Sequence, residues 1–93
     1  MKIKYSQHLV NRLAIRGIAD DIPRKIVDES GDRYRDQITG HYIATMKIEL
    51  HTKLRELMVA YAMEDDGAVL LTIHPLKEGQ KENRINAGRW RKI

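Results

Sequence analysis

Three runs decide the fold: Ile43-Ala-Thr-Met-Lys-Ile-Glu-Leu50, Arg55-Glu-Leu-Met-Val-Ala-Tyr-Ala-Met63 and Ala68-Val-Leu-Leu-Thr-Ile-His74. Each is rich in apolar residues and short enough to be a strand. Each is bounded by turn chemistry: His51-Thr-Lys53 after the first, Glu64-Asp-Asp-Gly67 after the second. Asp-Gly is a strong hairpin signal. Pro75 ends the third run because it has no N–H to give to a ladder. The stretch therefore predicts an antiparallel meander. Alternation assigns its faces. Met46, Ile48 and Leu50, then Leu57, Val59, Tyr61 and Met63, then Val69, Leu71 and Ile73 form the apolar side. His41, Thr45, Lys47, Glu49, Glu56, Ala60, Ala62, Leu70, Thr72 and His74 form a mixed side, read as a shallow polar groove.

Outward from this centre, Asp32 to Gln37 reads as one more strand, with Thr39-Gly40 turning into the meander. Two helices precede it. Ser6 suits an N-cap, the first helix runs to about Arg16, and Gly17 suits the position after a helix end. Leu9, Leu13, Val10 and Ala14 gather on one arc, and His8, Arg12 and Arg16 are read as a row on the opposite side. In the second helix Asp20 and Asp21 suit the positive N-terminal end, and Pro23 is tolerated in the first turn. Ile22, Ile26 and Val27 form its apolar stripe, and Ser30-Gly31 ends it. Met1 to Tyr5 reads as a short edge strand or a free end, and Lys77 to Asn86 as a short helix or an irregular segment. Trp90 is expected to fold back over apolar surface. The expected fold class is α+β: two N-terminal helices on one face of a four-stranded antiparallel sheet, ordered ααββββ, with a short basic C-terminal segment.

The 93 residues suit a single domain spanning 1–93 with one modest core. The absence of cysteine excludes disulfides, thiolate metal sites and thiol nucleophiles. No apolar run approaches the roughly 20 residues needed to cross a bilayer. The N-terminus lacks the apolar core of a secretion signal, so a cytoplasmic location is expected. Charge is unevenly spread. Lys77 to Lys92 holds six basic residues (77, 81, 84, 89, 91, 92) against Glu78 and Glu82, which accounts for the whole net charge of +4. Such a segment is either a phosphate or acidic-partner patch or a solvated tail.

The four histidines, 8, 41, 51 and 74, lack zinc spacing, and neither a phosphate-binding loop nor a dinucleotide glycine pattern is present. No metal and no cofactor are expected. The His8/Arg12/Arg16 row combines guanidiniums that bind phosphate bidentately with an imidazole that titrates near neutrality. The same arginines can instead pair with Asp20 or Asp32. His74, at a strand end, is a candidate general base or acid for RNA cleavage, with Lys47 and one of Arg55 or Arg89 beside it; it can equally be a strand-end residue bonded to backbone. Tyr61 reads as a core residue. Arg84, Arg89 and Arg91 read as RNA-backbone contacts or tail charges.

The opening Ser6-x-His8-x-x-x-Arg12-x-x-x-Arg16-Gly17-Ile18, the short acidic helix, the strand run ending Ile73-His74-Pro75 and the basic end with Gly88-Arg89-Trp90 resemble the small RelE/ParE-related domains, most closely their BrnT-like or uncharacterised branch. The resemblance implies the toxin of a type II toxin–antitoxin pair, many such toxins being metal-free endoribonucleases that cut mRNA, often on the ribosome. It implies RNA and a cognate antitoxin as partners and leaves a homodimer open. On this reading His74, Lys47, Arg89, His8 and Arg12 form the catalytic set, and Arg16, Lys81, Arg84 and Arg91 bind RNA. The alternative is a non-catalytic member that binds a protein target, as ParE-like domains do. Convergence of these residues on one surface discriminates the two.

Overall fold

The computed structural model describes residues 2–93; Met1, the first residue of the predicted edge strand or free end, lies outside them. The elements are β1 (Lys2–Tyr5), α1 (Gln7–Arg16), α2 (Ile22–Glu29), β2 (Asp32–Asp36), β3 (Tyr42–Leu50), β4 (Lys53–Glu64), β5 (Gly67–Pro75), α3 (Gln80–Asn86) and β6 (Trp90–Lys92). They build a six-stranded mixed sheet ordered β1-β5-β4-β3-β2-β6. This corrects the expected four-stranded antiparallel sheet behind two helices. The meander and the strand before it are present, but each end of the chain adds an edge strand, and the described residues include a third helix.

The extra strands answer a hydrogen-bonding need. The outer edges of β5 and β2 would otherwise present unpaired backbone groups. β1 joins β5 in parallel, with Lys2 opposite Gly67 and Tyr5 opposite Leu70. β6 joins β2 antiparallel, with Arg35 opposite Arg91. Gly67 makes the first junction possible, since a Cβ there would sit 1.8 Å from the Lys2 carbonyl oxygen. The Asp66-Gly67 pair is thus not the centre of the hairpin loop. Glu64 pairs with Gly67, leaving Asp65 and Asp66 as the loop.

The predicted face of β5 is also corrected. Ala60 pairs with Thr72 and Tyr61 with Leu70, so Leu71 bulges out of register. A bulge reverses the alternation beyond it, and Ala68, Leu70 and Ile73 are buried in place of Val69 and Leu71. Ser6 secures the bulge: its hydroxyl donates to the Leu71 carbonyl at 2.8 Å and accepts from Leu9 N–H at 3.0 Å, capping α1. Gly17, with φ of 64°, ends that helix as its sequence predicts. α1 lies against β5 and buries Leu9 and Leu13, while Val10 and Ala14, predicted on its core arc, are exposed. The His8/Arg12/Arg16 row does not oppose the core either. Four residues advance the helix by a little more than one turn, so the row drifts toward the buried side and Arg12 and Arg16 become half-buried.

α1 and α2 cover one sheet face, where Leu9, Leu13, Ile26, Val27, Ala44, Leu57, Val59, Leu70 and Ile73 are among the buried core residues. The other face, predicted as a polar groove, holds a second apolar cluster: Tyr34, Ile43, Met58, Ala60, Leu76 and Trp90. Trp90 folds back as expected, 1% exposed, stacked on Tyr34 at 5.7 Å. α3 carries no buried residue of its own.

Candidate functional site

The α3-side face carries most of the ordered charge. Lys81 of α3 places Nζ 2.8 Å from both Asp32 Oδ2 and Glu56 Oε2. Thr45 donates to Asp32 at 2.5 Å, Tyr34 OH donates to its other oxygen at 2.6 Å, and Lys92 reaches that oxygen at 3.0 Å. Partial burial pushes the Asp32 carboxyl up, but the hydrogen bonds from Lys81, Thr45, Tyr34 and Lys92 outweigh it and hold the group well below the usual carboxylate range. The Tyr34 phenol is pushed up to about 12, first by burial and then by its bond to Asp32. Lys81 is driven the other way from its desolvation, upward, by the same two carboxylates. A second ion pair lies at the β2–β6 margin. Asp36, nearly buried, receives Arg89 Nε at 3.1 Å, Trp90 Nε1 at 3.4 Å and the backbone N–H groups of Ile38 and Thr39. Burial raises its carboxyl, and these bonds with the Arg89 charge bring it below its ordinary value.

A third grouping has no carboxylate. His74, half-buried near the end of β5, has Nδ1 3.3 Å from the Pro75 carbonyl oxygen. Burial is the strongest influence on its imidazole and lowers its pKa below 6.5; the Pro75 carbonyl opposes this, and the charges of Arg84, Arg16 and Arg12 add to the lowering. α1 supplies two of those arginines and α3 the third, so two separate helices bring positive charge to an imidazole on β5. Among the described residues no carboxylate lies within 4.0 Å of Arg12, Arg16 or Arg84. The Arg16 Nε is buried and has no hydrogen-bond partner. Arg12 Nε is 3.5 Å from His8 Nε2, and Arg84 lies over the Trp90 ring at 5.0 Å. The grouping is thus three cations whose charges act on one imidazole, none of them with a carboxylate within 4.0 Å among the described residues, although the more distant Asp36 charge acts on Arg84. Chemically it can accept an anion such as a phosphate and take a proton beside it.

The charges of Arg84, Arg16 and Arg12 thus act on His74, and Arg12 lies against His8. The remaining candidates lie elsewhere. Lys47 is exposed on β3 opposite Glu56, whereas the residue level with His74 across β4 is Thr45. Arg89 is held by Asp36 and Lys81 by Asp32 and Glu56. Arg91 projects from the helix-covered face opposite Arg35. Sequence reasoning singled out neither Asp32 nor Asp36 for these networks. The available signal was alternation itself, which puts Asp32, Tyr34 and Asp36 on one side of β2. Comparison with protein-family models, curated proteins and solved structures finds no match for this chain. No described helix is long and apolar enough to cross a membrane.

Proposed function

We propose that the protein is a metal-independent endoribonuclease of the toxin type, with RNA as substrate and the RelE/ParE-related domains as its kin. One observation carries the reading: the charges of Arg12 and Arg16 of α1 and Arg84 of α3 all act on His74, and none of the three has a carboxylate within 4.0 Å among the described residues. The opening motif from Ser6 to Ile18 and the Ile73-His74-Pro75 end support the kinship.

In the proposed reaction the RNA 2′-oxygen attacks its own phosphorus. Neutral His74 takes the 2′-hydroxyl proton, the O2′–P bond forms and the P–O5′ bond breaks. The products are a 2′,3′-cyclic phosphate and a 5′-hydroxyl. Arg12, Arg16 and Arg84 stabilise the charge that accumulates on the phosphorane oxygens. The leaving 5′-oxygen takes a proton from solvent water, and His74 releases the proton it took to the hydroxide so formed, which balances the step. A lowered His74 pKa favours the free base at neutral pH, so the acid limb of the rate profile is expected below pH 6.5, the ordinary histidine value.

Induced expression of the wild type and of His74→Ala in a bacterial host, with growth and mRNA integrity followed together, tests this. The expected result is growth arrest with cleaved mRNA, both lost in the variant at equal soluble protein. Arrest with intact mRNA would sink the ribonuclease reading and favour a protein target.

A further inference from the structure

A second basic surface lies at the β2–β6 margin, on the face of the sheet that α1 and α2 cover. Arg35 of β2 and Arg91 of β6 are direct cross-strand partners, and both are exposed. Like charges directly opposite in an antiparallel pair are destabilising, and no carboxylate lies within 4.0 Å of either among the described residues. Protection of a sheet edge accounts for a charge on β6, but β2 lies between β3 and β6 and is not an edge. Arg35 has a further feature. Its guanidinium carbon lies 5.1 Å from the centroid of Tyr42, and Tyr42 is stacked on Tyr61 at 5.6 Å. The base of this stack is fixed. Arg33 Nη1 donates to Tyr61 OH at 3.0 Å, and the same guanidinium bonds the Val27 and Ser30 carbonyls at the end of α2.

The same margin on the α3 side has a matching stack that is closed. There Tyr34 and Trp90 are buried, and Lys92 and Arg84 cover the rings. Lys92 also has Asp32 as counter-ion. On the helix side Tyr42 is only half-buried and the guanidinium above it is free. A planar cation–ring platform beside a second free guanidinium fits a phosphate chain whose bases stack, since stacking and arginine–phosphate contact are the two ways single strands are held. An acidic peptide would use the charges but has no need of the ring.

We propose that Arg35, Arg91 and Tyr42 form a binding surface for single-stranded nucleic acid, the two guanidiniums on backbone phosphates and one base stacked on the Arg35–Tyr42 platform. It uses none of His8, Arg12, Arg16, His74 or Arg84 and stands independently of the cleavage reading.

The test is fluorescence anisotropy of the full chain with a short labelled 2′-O-methyl oligouridine, whose blocked 2′-oxygen prevents cleavage. The Arg35→Gln/Arg91→Gln double variant is expected to bind about tenfold more weakly, with a log–log salt dependence shallower by about 1.4 for two lost phosphate contacts. Its melting temperature should equal or exceed that of the wild type, because a like-charge pair is removed. Unchanged affinity and salt slope in the folded double variant would overturn the proposal, as would no binding by the wild type. Binding of poly-glutamate that depends on the two arginines, with oligonucleotide binding that does not, would overturn it in favour of an acidic protein partner. Arginine-dependent binding without any cleavage of unmodified RNA would retain this surface and reject only the catalytic reading.

Discussion

The two faces of the sheet are built by different physics. Beneath α1 and α2, stability comes from area: Leu9, Leu13, Ile26 and Val27 press onto Leu57, Val59, Leu70 and Ile73. Full burial of each such side chain contributes about 1.5–3 kcal/mol relative to exposure. Beneath α3 the apolar cluster is smaller, and the helix adds nothing buried to it. There Lys81 ties the helix to two strands through Asp32 and Glu56, and Arg84 lies over Trp90. Area is spread over many close-packed contacts, whereas the charge clasp rests on two contacts of one flexible lysine. Arg84 stands on the same short helix as that lysine.

Removing one member from each face breaks the comparison most directly. Leu57, 0% exposed, should cost about 3 kcal/mol when truncated in Leu57→Ala. Lys81→Met should cost less, about 1–2 kcal/mol, because the partly solvated Asp32 and Glu56 lose a counter-ion that water partly replaces. Urea unfolding measures both, and equal losses would remove the distinction between area and clasp. In Lys81→Met the His74 pKa should also rise, as α3 loosens and takes both burial and the Arg84 charge away; an NMR titration reads this without reference to activity.

Acid should act next, and selectively. Asp32 and Asp36 have folded pKa values below the ordinary 3.8. Their contribution is present above that value and is lost as pH falls through the folded values. His74 adds a loss beginning higher. Its folded pKa lies below the unfolded 6.5, so the unfolded chain binds the proton first and stability declines as pH falls below 6.5. Hydrogen exchange across this range should show α3 and β6 opening before α1 and α2. Simultaneous opening would mean that the two faces are one cooperative unit.

The smallest effect is at the β3–β4 hairpin, where His51 and Thr52 have φ of 51° and 70° without being glycine. Positive φ is costly for a β-branched residue. Thr52→Gly should therefore stabilise the protein by about 0.5–1 kcal/mol. His51 also reaches the end of α1, with Nε2 3.3 Å from the Arg16 carbonyl oxygen. A changed His74 titration in Thr52→Gly would show that the turn helps to seat Arg16.

Local chemistry in the chain determined the meander, the limits of α1 at Ser6 and Gly17, and the inward return of Trp90, since capping, period and turn preference act over a few residues. His74, Arg12, Arg16 and Arg84 were each legible as candidates by residue type. Tertiary structure alone decided which of them act on one imidazole, because the charges come from α1 and α3 and the imidazole from β5, and no periodicity records such a placement. It also decided that Lys81 and Arg89 are bound by carboxylates, that Leu71 bulges and reverses the faces of β5, and that two strands of four residues or fewer complete the sheet. Segments that short carry little pattern, and the first read equally as an edge strand or a free end; they become strands because β5 and β2 offer unpaired edges, and a Gly67 without a side chain lets one of them approach.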